Sequence, residues 1–216
     1  MNVFTRIALL GVSSAFSCSL LCAAHADSTY LSKTAFMNRV GAGYYLETFD
    51  SFGSFVGVPT PYTFSSNGFT YDASTPSTDT LFTVSPDSSN FSDIALSTAS
   101  SATPITLTFT SGNVTAVGGS FFLTDFPGNA AAGTVVVTLD DGTTQTLTGT
   151  SKDPEPFVGF TSNVPIASLT MTTGVNFYFN TINNLVVGTA VPEPGMVALL
   201  LGAGLSSVAL IKRRRK

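Results

Sequence analysis

The chain has 216 residues, 44% hydrophobic and 10% charged, with 18 Phe, 6 Tyr, no Trp, 2 Cys and 1 His. Cys18, Cys22 and His25 all lie within the first 26 residues, so the remainder has no means of building a disulfide framework, a Cys/His zinc site, a Cys nucleophile or a Ser-His-Asp triad. The formal net charge is −4, but residues 27–190 carry only Lys33, Arg39 and Lys152 against twelve acidic residues, a balance of −9 that argues against nucleic acid as a partner and leaves carboxylates available for cations.

At the N-terminus, Arg6 precedes an apolar run over residues 7–21, and Ala24-His25-Ala26 forms an A-x-A pattern. These are the three parts of a secretory signal peptide over residues 1–26, cut by signal peptidase so that Asp27 begins the mature protein. Residues 27–42 lack a clear pattern and read as a loose leader or as a short helix around residues 35–40.

Residues 43–190 read as one all-β domain. Short apolar runs rich in Thr, Val and Phe alternate with Gly, Pro, Asn and Asp. Strands are predicted over residues 44–49, 62–64, 68–71, 81–84, 94–96, 105–109, 119–124, 134–139, 144–148, 157–160, 166–171, 176–179 and 185–187. Strict alternation in Ile105-Thr106-Leu107-Thr108-Phe109 points Ile105, Leu107 and Phe109 inward. Asp140-Asp141-Gly142-Thr143 supplies the turn of a hairpin between residues 135–139 and 144–148. Many short strands at close spacing predict a single β-sandwich of jelly-roll type.

The chain ends in Val191-Pro192-Glu193-Pro194, an uncharged stretch over residues 195–211 and the cluster Lys212-Arg213-Arg214-Arg215-Lys216. Seventeen residues at about 1.5 Å each give a transmembrane helix of roughly 25 Å, and the basic cluster keeps its end in the cytoplasm. Pro192 and Pro194 place the helix start near Gly195. A Pro-Glu-Pro motif, an apolar helix and a basic end, in that order, resemble the PEP-CTERM sorting signal recognised by the membrane-embedded enzyme exosortase. The resemblance covers residues 191–216 and implies that Pro192, Glu193 and Pro194 are recognition residues. It further implies passage through the export machinery of a Gram-negative, exopolysaccharide-producing bacterium, an inner-membrane-anchored precursor, and release to the cell surface or extracellular matrix.

The domain opens with Leu46-Glu47-Thr48-Phe49-Asp50 and closes with residues 182–188, Ile-Asn-Asn-Leu-Val-Val-Gly. With Asn67-Gly68-Phe69-Thr70 and Phe157-Val158-Gly159-Phe160, these segments resemble the body of PEP-CTERM proteins and of jelly-roll carbohydrate-binding modules. The resemblance implies that opening and closing strands lie side by side, and that a structural Ca²⁺ sits between an early acidic residue and a late Asp. The corresponding residues here are Glu47, Asp50, Asn183 and Asn184, the last two being neutral oxygen donors.

Other chemistry is read from single residues. Glu47, Asp50, Asp125 and Glu155 flank apolar strands and are the candidates for a glycosidase-type carboxylate pair. Asp125 also opens a loop, Asp-Phe-Pro-Gly-Asn, that offers oxygens to Ca²⁺ or serves as a plain turn. Tyr44, Tyr45, Phe177 and Tyr178 are candidates for stacking on sugars or for core packing. Thr106, Thr108, Thr110 and the Thr-rich hairpin at 143–150 raise an ice-binding or adhesive surface, although no fixed-period repeat accompanies them. The reading that absorbs most of these observations is a non-catalytic, exported matrix protein associated with exopolysaccharide. The alternative is a Ca²⁺-dependent carbohydrate-binding module.

Overall fold

The computed structural model describes residues 28–87, 92–150 and 155–191. The signal peptide with Ala24 and Ala26, and the tail with Pro192, Glu193, Pro194 and the expected membrane helix, lie outside the described residues. Among the described residues no helix is long and apolar enough to cross a membrane.

On β8 (Ile105–Phe109), Ile105, Leu107 and Phe109 are buried and Thr106 and Thr108 face outward, the period-two pattern expected from the sequence. The same pattern in β5 (Phe69–Ser74), β11 (Gly133–Leu139) and β14 (Ser168–Thr172) gives each strand one apolar face. Together with β12 (Thr144–Gly149) and β4 (Tyr62–Ser66), they make a six-stranded antiparallel sheet in the order β12-β11-β14-β8-β5-β4. Its apolar face packs against a second, nine-stranded sheet to form the main core, so the domain is a β-sandwich.

The larger sheet runs β1 (Ser28–Tyr30), β13 (Phe157–Thr161), β9 (Ala116–Thr124), β15 (Phe179–Gly188), β7 (Ala95–Thr98), β6 (Leu81–Val84) and β3 (Gly57–Val58). Two short strands extend it: β10 (Ala130–Ala131) pairs with β9, and β2 (Tyr45–Glu47) pairs with β15. Leu46 stands opposite Val186 and Glu47 opposite Leu185, so the opening and closing segments are neighbours.

Three expectations need correction. Residues 176–179 and 185–187 are not separate strands. One strand, β15, runs through Asn183-Asn184, and the register of its pairing with β9 shifts between Asn183 and Val186. Asn184 takes a φ of 51°, which Asn tolerates better than most residues, so a pair that reads as a turn is a bulge inside a strand. The leader is part of the fold: β1 pairs with β13, and α1 (Lys33–Met37), N-capped by Ser32, seats Phe36 on the outer face of the larger sheet. The helix lies two to three residues earlier than expected.

The expected hairpin joins β11 and β12, with Thr138 opposite Thr144 and Leu139 N donating to Thr143 O. Asp141 Oδ1 accepts from Thr143 N at 2.7 Å, and Gly142 takes φ +90°. Asp140 does more than turn the chain: its Oδ1 accepts from Ala167 N and Ser168 N, tying the hairpin to β14.

Candidate functional site

The residues named for Ca²⁺ do meet, because β2 lies beside β15. Several of their oxygens, however, are engaged by the fold. Glu47 Oε2 accepts a hydrogen bond from the Tyr45 hydroxyl, and Oε1 accepts from Phe49 N at 2.7 Å, holding Phe49 at a φ of 60°. Asp50 Oδ1 accepts from Ile94 N at 3.2 Å. Buried Asn183 donates through Nδ2 to Asp93 Oδ1 at 2.9 Å, while its Oδ1 accepts from Asn184 N at 2.7 Å. Calcium asks for six to eight oxygens, and the bonds of Glu47, Asp50 and Asn183 already occupy part of what these residues could offer. Among the described residues no group of three or more Asp, Glu, His or Cys is arranged to hold a metal.

Burial, then the hydrogen bond to Glu47 and its negative charge, push the Tyr45 hydroxyl far above its ordinary pKa of 10.0. Tyr71 is raised in the same direction by burial first and then by the charge of Glu47. Both phenols stay protonated across the physiological range.

Of the carboxylate candidates, Glu47 and Asp125 lie far apart. Glu47 faces Leu185, whereas Asp125 follows Thr124, which faces Phe179. Six residues of β15 at about 3.3 Å each separate the two by roughly 20 Å, against the roughly 5–10 Å of a glycosidase pair. Asp125 Oδ1 accepts from Asn129 N at 2.8 Å, so its loop is a side-chain-closed turn. Glu155 lies just ahead of β13.

Of the aromatic candidates, Tyr45 is buried, and Tyr44 and Tyr178 pack against the apolar clusters. Phe177 is open to solvent, 85% exposed.

What the sequence reading reached only in fragments is the outer face of the smaller sheet. Strand register sets Thr144, Thr138, Thr170, Thr106 and Ser74 in one row across β12, β11, β14, β8 and β5. A second row holds Ser168, Thr108, Asp72 and Thr63 across β14, β8, β5 and β4. Neighbours within the rows are bonded: Thr106 to Thr170 at 3.2 Å, and the Thr63 hydroxyl to Asp72 Oδ1 at 2.6 Å. Beside them, Ser65 bonds Thr70 at 2.9 Å. Hydroxyls therefore recur about every 4.8 Å across strands and about 6.7 Å along them. The face carries almost no charge, and every hydroxyl has both a donor and lone pairs, so it suits a partner that is itself a dense array of hydroxyls. Thr110 extends this face through its backbone N, which donates to Thr70 O. The available signal was Thr or Ser at outward positions of six strands, invisible as rows until register is known.

No family model, no curated protein and no solved structure matches the chain.

Proposed function

We propose that the chain is the precursor of a non-catalytic cell-surface or extracellular-matrix protein, exported by its signal peptide, sorted by exosortase through Pro192-Glu193-Pro194, and associated with exopolysaccharide through its domain. The domain is read as jelly-roll-like, on the strength of the β2–β15 pairing. The observation that carries the binding reading is the hydroxyl face of the smaller sheet.

A single hydroxyl contact exchanged with water contributes only about 0.5–1.5 kcal/mol, so recognition has to be multivalent. A polysaccharide meets that need, because one chain contacts several rows at once. Sheet twist separates this partner from ice: at about 20–25° per strand, the five-strand row turns by roughly 80–100° from end to end. A flexible polymer follows such a surface, and a crystal plane does not. The acidic balance of residues 27–190 supports solubility in a hydrated matrix and disfavours anionic glycans.

The test is retention in the matrix. In an exosortase-competent host, wild-type protein is expected in the exopolysaccharide fraction and a Thr106→Val/Thr108→Val/Thr170→Val variant in the medium. Valine keeps the branched shape that packs on a strand and removes only the hydroxyl. Equal retention of both proteins would count against the hydroxyl face as the binding surface.

A further inference from the structure

The outer face of the larger sheet, opposite the hydroxyl face, holds a groove of about 480 Å³, within the size range of small-molecule sites. Phe55, Phe82, Phe126 and Phe179 are its walls, and Ser97 and Thr124 lie at its floor. The floor hydroxyls are already satisfied. Ser97 Oγ and Thr124 Oγ1 each bond Thr181 Oγ1 at 2.9 Å, a chain across three strands that asks nothing of a ligand. The groove therefore offers apolar contact from above a hydrogen-bonded base.

Two loops hold the walls in place. Phe55 sits at a φ of 61°, uncommon for a bulky residue, and such a conformation persists only where the surroundings hold it. It is fixed by buried Thr83, whose O accepts from Phe55 N at 2.8 Å and whose hydroxyl donates to Gly53 O at 2.6 Å. Phe126 rides on the turn closed by Asp125 and is 87% exposed. The loops touch at Gly128, where a Cβ would lie 3.3 Å from both Phe55 Cζ and Val84 Cβ, at a φ of +95°. The two aromatic lips therefore stand on loops that are each closed by their own hydrogen bonds.

Charge narrows the ligand. Asp125 is the one ionisable residue among the described lining residues, and no Lys, Arg or His stands there to pair an anion. We propose that this groove binds an uncharged, largely apolar small molecule. This inference is independent of the polysaccharide reading, since it concerns the other sheet.

The test uses the full-length chain and two dyes, uncharged Nile red and anionic anilinonaphthalene sulfonate. Dye taken up elsewhere on the chain is common to wild type and variants. Wild type is expected to bind Nile red saturably with a blue shift. Ala99→Trp, which fills the groove from an exposed position on its lining, should weaken that binding at least tenfold. Phe126→Ser, which removes a lip without touching the core, should weaken it at least fivefold. The anionic dye should bind at least tenfold more weakly than Nile red. Absence of saturable binding, or equal affinity in wild type and both variants, would overturn the site. Equally tight binding of the anionic dye would overturn the charge selection.

Discussion

A Cβ built on Gly159 would lie 2.4 Å from Cδ2 of Phe36, so the ring occupies the space a side chain would take. Gly118, opposite Gly159 in the pairing of β9 with β13, has the same ring 3.0 Å from its own Cβ direction. The two glycines make a flat spot on the sheet, and α1 is seated there by a single buried phenylalanine. Gly159→Ala should therefore destabilise the domain by about 1–3 kcal/mol through overpacking. Adding Phe36→Ala should cost less in that background than in wild type, because the clash has been removed. Urea denaturation of the four proteins in this cycle measures the coupling, and strict additivity would contradict the contact.

Tyr71 is fully buried and stacked on Phe64 at 5.0 Å, and its hydroxyl has no hydrogen-bond partner among the described residues. An orphaned buried polar group costs about 1–3 kcal/mol, so Tyr71→Phe should leave stability unchanged or raise it by up to about 1 kcal/mol. The outwardly similar Tyr45→Phe removes the bond to Glu47 and should lower stability. Thermal melts of the two variants at pH 7 should move in opposite directions or show loss only for Tyr45→Phe.

The two raised phenols also set an alkaline limit. Below pH 10 both states keep these protons and neither tyrosine affects the balance. Above pH 10 the unfolded chain releases protons that the folded chain still holds, so stability falls as pH rises toward the elevated folded values. The melting temperature should decline above pH 10, and less steeply in Tyr45→Phe and Tyr71→Phe than in wild type. Parallel declines in all three would show that other groups control the transition.

For the sorting tail, intact mass separates the outcomes. A host with exosortase should yield a species beginning at Asp27 and lacking residues after the Pro192-Glu193-Pro194 region. A host without the enzyme should yield the same start with the tail retained. An uncut, membrane-held chain in both hosts would refute the sorting proposal and leave an anchored periplasmic domain.

Strand positions were legible because one buried and one solvated face force alternation, as in Ile105 to Phe109, and because Asp141-Gly142 sets a tight hairpin. Sequence could not show that Asn183-Asn184 lies within a strand, since a bulge and a turn use the same residue type and differ only in what pairs alongside. β1 was missed, and α1 was expected two to three residues too far along, for a related reason: the helix is seated on the paired glycines 118 and 159, some 80 and 120 residues further along. Glu47 was named as a candidate Ca²⁺ ligand and carboxylate-pair member, whereas the bonds its oxygens accept from the Tyr45 hydroxyl and from N of left-handed Phe49 depend on local geometry that sequence does not display. The groove escaped notice because Phe55 and Phe126 sit in loops, where an apolar residue carries no periodic signal.

The central claim is tested most directly by affinity electrophoresis of the purified protein through gels containing the producing strain's exopolysaccharide. The wild-type protein should be retarded in proportion to polysaccharide concentration, and the Thr106→Val/Thr108→Val/Thr170→Val variant, with an unchanged melt, should lose at least four-fifths of that retardation. Equal migration of the two proteins at every concentration would contradict the account.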